Sequence, residues 1–236
     1  MTLISKAGTA LQRRVWTKRA QSWDQGAGEN PGLVRVVNEV LEKSQPQGGM
    51  VAVDLGSGSG QLSIPLAKTV KTVYAVDISA AMLDLLQKNA TSQGLTNIES
   101  KVSPIEDLKL EPQSVDLVVS NYCLHHLADL DKEKIVQQSY SWLRPGGKLV
   151  IGDMMFGRGA DSRDREIIKN KILQLAAKGP AGWWRIIKNV GRFVFRMQER
   201  PVSMAKWEAM LKQAGFSEVN TYPVVAEAGI IQGIKK

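Results

Sequence analysis

The amino-acid sequence predicts a doubly wound α/β domain with an open, mostly parallel sheet, and three observations carry that reading. Met50–Val53 is a short valine-rich run, followed by Gly56, Gly58 and Gly60 and then by helical periodicity from Leu62 to Leu66. A second apolar run, Val73–Val76, ends in Asp77. Further short apolar runs alternate with amphipathic stretches along the rest of the chain. Runs apolar on successive residues suit strands covered on both faces, and strands alternating with helices build parallel βαβ units.

The elements follow in order, within one domain spanning residues 1–236, because 236 residues would crowd two compact domains. Residues 1–45 read as a helical cap. Leu3–Trp23 is basic and amphipathic, and Pro31–Glu42 sets Leu33, Val34, Val37, Val40 and Leu41 at helical spacing before Pro46 and Gly48-Gly49 end it. The core, 46–155, continues after the first two strands with a helix capped by Ser79, running to Gln93 and closed by Gly94. Asn97–Val102 and Val115–Ser120 are the third and fourth strands; Lys134–Leu143 is a helix, Pro145-Gly146-Gly147 a tight turn, and Lys148–Met154 the fifth strand. Residues 156–202 are a helical insertion placed as a lid: Ser162–Lys178, a break at Gly179-Pro180, then Trp183–Met197. In 203–236, Ser203 caps a helix to Ala214, Gly215 ends it, and Glu218–Val225 and Gly229–Ile234 are the last two strands.

The glycine bend reads as a socket sized for a nucleotide. Without Cβ atoms the backbone is approachable, and the unpaired amides of the next helix turn are electropositive. The spacing is Gly-x-Gly-x-Gly, whereas dinucleotide folds use Gly-x-Gly-x-x-Gly, and Asp54 just ahead of the bend would repel a phosphate but suit an ammonium group. A nicotinamide dehydrogenase is disfavoured on both counts. Asp77 stands where a ribose-binding carboxylate is expected, and Ile78 and Met82 can offer apolar surface to a purine. The socket therefore suits an adenosine joined to a cationic, amine-bearing group.

Four ordered motifs now resemble a known family: Asp54-x-Gly-x-Gly-x-Gly, Val76-Asp-Ile-Ser79, Asp116-Leu-Val-Val-Ser-Asn-Tyr-Cys-Leu-His-His-Leu127, and Leu143-Arg-Pro-Gly-Gly-Lys-Leu-Val150. The pattern is similar to class I S-adenosylmethionine-dependent methyltransferases over roughly residues 50–155, most of all the branch containing the ubiquinone and menaquinone biosynthesis enzymes. The resemblance implies a Rossmann-like, seven-stranded sheet with one antiparallel strand near the end. It also implies S-adenosyl-L-methionine as cofactor, S-adenosyl-L-homocysteine (SAH) as product, and a cap packed over the cofactor. Carried onto this sequence, it places Asp54, Gly56, Ser57, Gly58, Gly60, Asp77, Ile78 and Met82 in the cofactor site, with Asn121 meeting the methionine portion through its backbone. Family members often follow the third strand with an acid that holds the adenine amine. Pro104 stands in that place here, so the contact shifts to the backbone around Ile105 or to Glu106.

His125 and His126 follow the fourth strand. One imidazole can take a proton from an acceptor hydroxyl or acidic carbon, since histidine titrates near neutrality; the competing reading is a histidine that bonds a buried carbonyl or caps the next helix. Trp16 and Trp23 either wall the acceptor or anchor their helix. Asp153 either touches the acceptor or caps a helix.

Charge is uneven in this chain of net +8: residues 1–24 carry five basic residues against one acid and 158–200 eleven against four, which leaves the remainder at −3. In Trp183–Met197, Arg185, Lys188, Arg192 and Arg196 form one stripe and Trp183, Ile186, Val190, Phe193, Val194 and Met197 another. Such a helix packs its apolar side on its own protein or meets an anionic membrane surface. Nucleic acid is disfavoured by the lack of an RNA-binding module. No run nears the ~20 apolar residues of a membrane span and no secretory signal is visible, so a cytoplasmic protein is expected, peripheral at the inner membrane surface if the basic helix docks there. Cys123 is the single cysteine and is expected as a small buried group; with two histidines it sets no metal site. The acceptor is expected to be a small or lipid-like apolar molecule, anionic in one variant, methylated on oxygen or carbon. Phospholipid-headgroup N-methylation, RNA methylation and non-catalytic cofactor binding stand as alternatives.

Overall fold

The computed structural model describes residues 3–157, 162–177, 179 and 199–236. Its sheet has seven strands: β1 (Val51–Leu55), β2 (Thr72–Asp77), β3 (Ile98–Val102), β4 (Val115–Asn121), β5 (Leu143–Met154), β6 (Ser217–Pro223) and β7 (Ala228–Ile234). They lie in the order β3-β2-β1-β4-β5-β7-β6. The first five pair in parallel, and β7 runs against both its neighbours.

Successive strand residues feed opposite cores, as the pleat requires. Ala52, Val73, Ala75, Leu117, Val119 and Val150 pack against α2 (Pro31–Ser44), α3 (Ser63–Ala67) and α4 (Ala80–Ser92). Val53, Leu55, Val76, Val118, Leu149 and Ile151 pack against α5 (Asp129–Trp142) and α7 (Met204–Ala214). Each fully buried valine or leucine contributes about 1.5–3 kcal/mol, so both faces of the sheet are held. The sheet is doubly wound, as its apolar runs predict.

Local signals set the helix ends. Asn30 accepts from the Gly32 and Leu33 amides ahead of α2, Ser79 from the Met82 amide ahead of α4, and Ser203 from the Lys206 amide ahead of α7. Gly94 and Gly215 leave their helices at φ +70° and +101°. Two boundaries differ from the sequence reading. α5 begins at Asp129, not Lys134, because Asp129 and Asp131 complement the positive end of its dipole. The expected tight turn at Pro145–Gly147 is absorbed into β5: pairing steps from Val115 and Leu143 to Leu117 and Lys148, and the extra residues bulge. That bulge is stitched outward by Gly146 N–H donating to Lys235 O at 2.7 Å and Lys235 N–H to Gly147 O at 2.9 Å. α6 spans Ser162–Ala176. The expected helix Trp183–Met197, with its basic stripe, lies outside the described residues.

Strand order reverses between β1 and β4, so the loops after these strands open side by side at the carboxyl end of the sheet, where such folds bind ligands. α1 (Leu3–Ala27) lies across that end. Thr9 Oγ1 donates to Glu106 Oε1 at 3.4 Å, the Thr17 and Ser79 hydroxyls are 3.2 Å apart, and Asn89 Nδ2 donates to Asp24 Oδ1 at 3.1 Å. Among the described residues no helix is long and apolar enough to cross a membrane.

Candidate active site

The β1–β2 half is built from backbone. After β1 the chain bends so that the Gly56 and Ser57 amides donate to Val76 O at 2.8 and 3.0 Å. Asp77 then joins the two loops: Oδ2 accepts from the Gly58 amide at 3.0 Å and Oδ1 from the Ser79 amide at 2.8 Å. Burial pushes the Asp77 carboxyl up, against those amides, which favour its ionised form.

The three glycines serve different ends. Gly56, at φ +76°, sits against Cys123, whose side chain a Cβ would overlap. Gly60, at φ +103°, leaves room for Ile64 and Leu86, whose side chains come within 2.9–3.2 Å of where a Cβ would be. Gly58, at φ +53°, is the least crowded of the three, with Gln61 Oε1 at 3.4 Å and the Trp23 indole nitrogen at 3.8 Å from where its Cβ would be. Gly58 thus faces α1 at Trp23, and the candidate cofactor cleft is placed at this junction. Beside Gly58, the Ser57 hydroxyl is buried without a hydrogen-bond partner.

Asp54 lies beneath the bend, 1% exposed, with Oδ2 accepting from Ser63 Oγ at 2.6 Å. Burial, with the Asp77 charge adding, pushes its carboxyl to about 7 although the Ser63 hydrogen bond opposes this. Met82 and Ile105 are buried and Ile78 half-buried around the far end of the cleft. Glu106 is buried under Thr9, and its carboxyl is pushed up chiefly by burial.

The β4–β5 half is built from side chains. Asn121 ends β4, and its Oδ1 is buried with no hydrogen-bond partner. Tyr122 adopts φ +47°, held by its N–H donating to Gly152 O at 2.8 Å. A non-glycine residue in this region costs about 1–3 kcal/mol, a strain that clusters at functional sites. Cys123 packs on Gly56; burial, then the charges of Asp77, Asp153, Asp54 and Glu106, hold its thiol well above the usual range, so it is a neutral packing group.

His125 is the centre of this half. It is 5% exposed, and Asp153 at the end of β5 is fully buried. Asp153 Oδ2 accepts the His125 backbone N–H at 2.9 Å and Oδ1 contacts ring Nδ1 at 2.5 Å. A carboxylate only accepts, so Nδ1 is the ring nitrogen that donates here. The rings of His126 and Tyr122 lie 4.0 and 6.4 Å away, centre to centre. His126 meets Trp16 at 5.4 Å, and Trp16 meets Trp23 at 5.4 Å, so an aromatic row joins α1 to the loop after β4.

The structure therefore links Gly58 to Asp77 and to Trp23, and Trp23 through Trp16 and His126 to His125, with Asp54 buried beneath the bend. Reading the sequence missed Asp153 as the partner of His125 and missed the strained Tyr122. Asp153 ends an apolar strand on the ligand side, which was a usable signal; its pairing with a residue 28 positions earlier was not. Among the described residues no cluster of three or more histidine, cysteine or acidic side chains could hold a metal ion.

Residues 52–147 match the family model described as methyltransferase domain. Over these residues the chain is similar to methyltransferases. An uncharacterized methyltransferase of Anoxybacillus flavithermus is 33% identical over 148 residues, 63% of this chain and 63% of that relative, so the chain spans less than two thirds of its length. Phosphoethanolamine N-methyltransferase 1 of Triticum aestivum is 33% identical over 129 residues, 53% of this chain and 25% of that protein. Among solved structures, the DhpI–SAH complex superposes with a TM-score of 0.69 at 18% identity, covering 96% of both chains. This likeness extends the methyltransferase fold across the cap and the C-terminal strands.

Proposed function

We propose that this chain is an S-adenosylmethionine-dependent methyltransferase acting on a small or lipid-like acceptor, methylated on oxygen or carbon, with His125 as general base. One observation carries the reading: a buried imidazole fixed by Asp153 lies two residues beyond Cys123, whose side chain packs on Gly56 of the glycine bend.

The residues fit the cofactor. The less crowded Gly58 and the unpartnered Ser57 hydroxyl offer backbone and a polar group to its amino-acid end. Asp77 has further acceptor capacity that would serve ribose hydroxyls, Ile78 and Met82 would offer apolar surface to the purine, and Glu106 or the Ile105 backbone would hold the adenine amine. The Asn121 backbone would meet the methionine portion. The Asp54 charge below suits a cation. When bound, the cofactor supplies a methyl group already made electrophilic by its sulfonium.

The protein's own part is alignment and proton removal. Asp153 holds the proton on Nδ1 and orients the ring, so Nε2 can accept the proton of an acceptor hydroxyl or acidic carbon as the nucleophile forms. Trp16 and Trp23, carried over the cleft by α1, exclude water from the aligned pair. The resemblance to quinone-pathway methyltransferases favours a lipophilic acceptor with an acidic hydroxyl or carbon. The likeness to wheat phosphoethanolamine N-methyltransferase 1 favours a second reading, methylation of a headgroup amine, for which the same base would remove an ammonium proton.

The test is incubation with methyl-labelled cofactor and cell extract, fractionated into lipid, RNA and protein. Label in lipid or small molecules supports the proposal, and hydrolysis then separates headgroup from tail. Label confined to RNA, or cofactor binding without transfer, defeats it. His125→Ala should lower turnover by about 10²–10⁴-fold with SAH affinity unchanged; undiminished turnover would return the histidine to a packing role.

A further inference from the structure

Lys132, in α5, is fully buried. Taking an ammonium out of water is costly, and methionine or leucine would fill similar volume without that cost. What lysine adds is directed donation. Its Nζ donates to Leu127 O at 2.9 Å, to Arg200 O at 2.7 Å and to Asp129 Oδ1 at 3.2 Å.

Those two carbonyls belong to segments 73 positions apart, and both segments bear on His125. Leu127 closes the short turn Leu124–His126 by donating its N–H to Leu124 O at 3.0 Å. Arg200 donates its own N–H to His125 O at 2.6 Å. Arg200 is therefore held by Lys132 through its carbonyl while it holds His125 through its amide. Asp153 grips the other side of His125, through both the backbone N–H and the ring. Asp129 offsets the buried charge and is itself reached by Lys206 Nζ at 2.8 Å.

We propose that Lys132 is a positioning residue, a clamp that draws the 199–202 segment and the turn bearing His125 together so that the imidazole stays registered on Asp153. The proposal rests on the reading of His125 as the base, but its geometry can be tested without an acceptor. Two carbonyls approached by one ammonium must lie within about 6 Å of each other, the sum of two hydrogen-bond lengths. An apolar side chain of equal length would impose no such limit.

The experiment is nuclear magnetic resonance of the full chain carrying 15N-labelled histidine, with amide hydrogen exchange at Arg200. The parent should show a downfield Nδ1 proton from the imidazole–carboxylate hydrogen bond, assigned by its loss in His125→Ala. In Lys132→Met that proton should exchange about tenfold faster or vanish, and the Arg200 amide should lose protection to a similar degree, with SAH affinity unchanged. A folded Lys132→Met that keeps both signals overturns the clamp, as does a parent lacking the downfield proton. If Lys132→Met does not fold, Asp129→Asn carries the test: the lysine stays but loses its counter-charge, and faster exchange of the same proton supports the clamp while an unchanged signal overturns it. Failure of the base reading looks different, because His125→Ala would then leave turnover intact while the imidazole signal still responds to Lys132.

Discussion

The two halves of the cleft are made by different means. The β1–β2 half is a loop whose amides and glycines do the shaping, closed on itself by contacts between residues about twenty positions apart, such as Gly58 with Asp77. The β4–β5 half is an assembly of side chains drawn from separate elements: His125 from the turn after β4, Asp153 from β5, Lys132 from α5, with the Arg200 backbone behind. A site made of backbone tolerates little change in shape and binds one fixed partner. A site made of side chains can be refitted residue by residue, which would suit the half that meets the acceptor under the proposed function.

The largest effect that would sharpen this contrast is at Gly58. Gly58→Val puts a branched side chain between the bend and Gln61 and Trp23, at a backbone angle valine avoids, so SAH binding should be lost in calorimetry while the fold persists. Binding at parental affinity would break the assignment of the cleft.

Asp54 gives the next effect, on pH dependence. Its carboxyl titrates near 7 in the fold against an ordinary value of 3.8, so the unfolded chain loses this proton first. Unfolded protein therefore binds fewer protons between about pH 4 and 7, and stability falls as pH rises through that window, by about 4 kcal/mol. Denaturant midpoints at pH 4.5 and 7.5 should show this fall in the parent and much less of it in Asp54→Asn. A cation bound above should favour the ionised form, so SAM binding near neutral pH should release protons, readable by calorimetry in buffers of different ionisation enthalpy. No proton release would separate Asp54 from the ligand.

Gly56→Ala should act on the fold, lowering stability by about 2–3 kcal/mol in thermal or denaturant unfolding as Cys123 is displaced. Pairing it with Cys123→Ala should recover part of that loss; no recovery would mean the two do not share the space. Asp77→Ala is expected to weaken SAH binding by about 1–3 kcal/mol, the smallest of these changes, because other groups also hold the nucleoside.

The same contrast explains what the sequence made legible. The bend, the acid after β2, the Ser79 and Ser203 caps and the closing glycines at 94 and 215 were all readable, because each follows from a few consecutive residues. The count of seven strands and one antiparallel strand near the end came with the family resemblance, not from periodicity. Illegible were pairings made through space. Nothing near Asp153 announces His125, nothing in α5 marks Lys132 as buried, and nothing in α1 says which residues turn inward to Ser79, Glu106 and His126. The bulge at 144–147 was hidden for a related reason: a Pro-Gly-Gly tripeptide signals a turn, and only the Lys235 backbone beyond β7 makes it a detour within a strand.

Because β7 is the last strand in chain order yet lies between β5 and β6, the sheet has an open flank until the C-terminal hairpin arrives. Seven consecutive residues of β5, from Lys148 to Met154, await partners on β7, and Asp153 is among them. A chain cut before residue 228 would expose that raw edge to neighbouring molecules and leave the carboxylate that steers His125 on an unsupported strand. Aggregation on truncation and failure of the imidazole to hold its place would then have one origin.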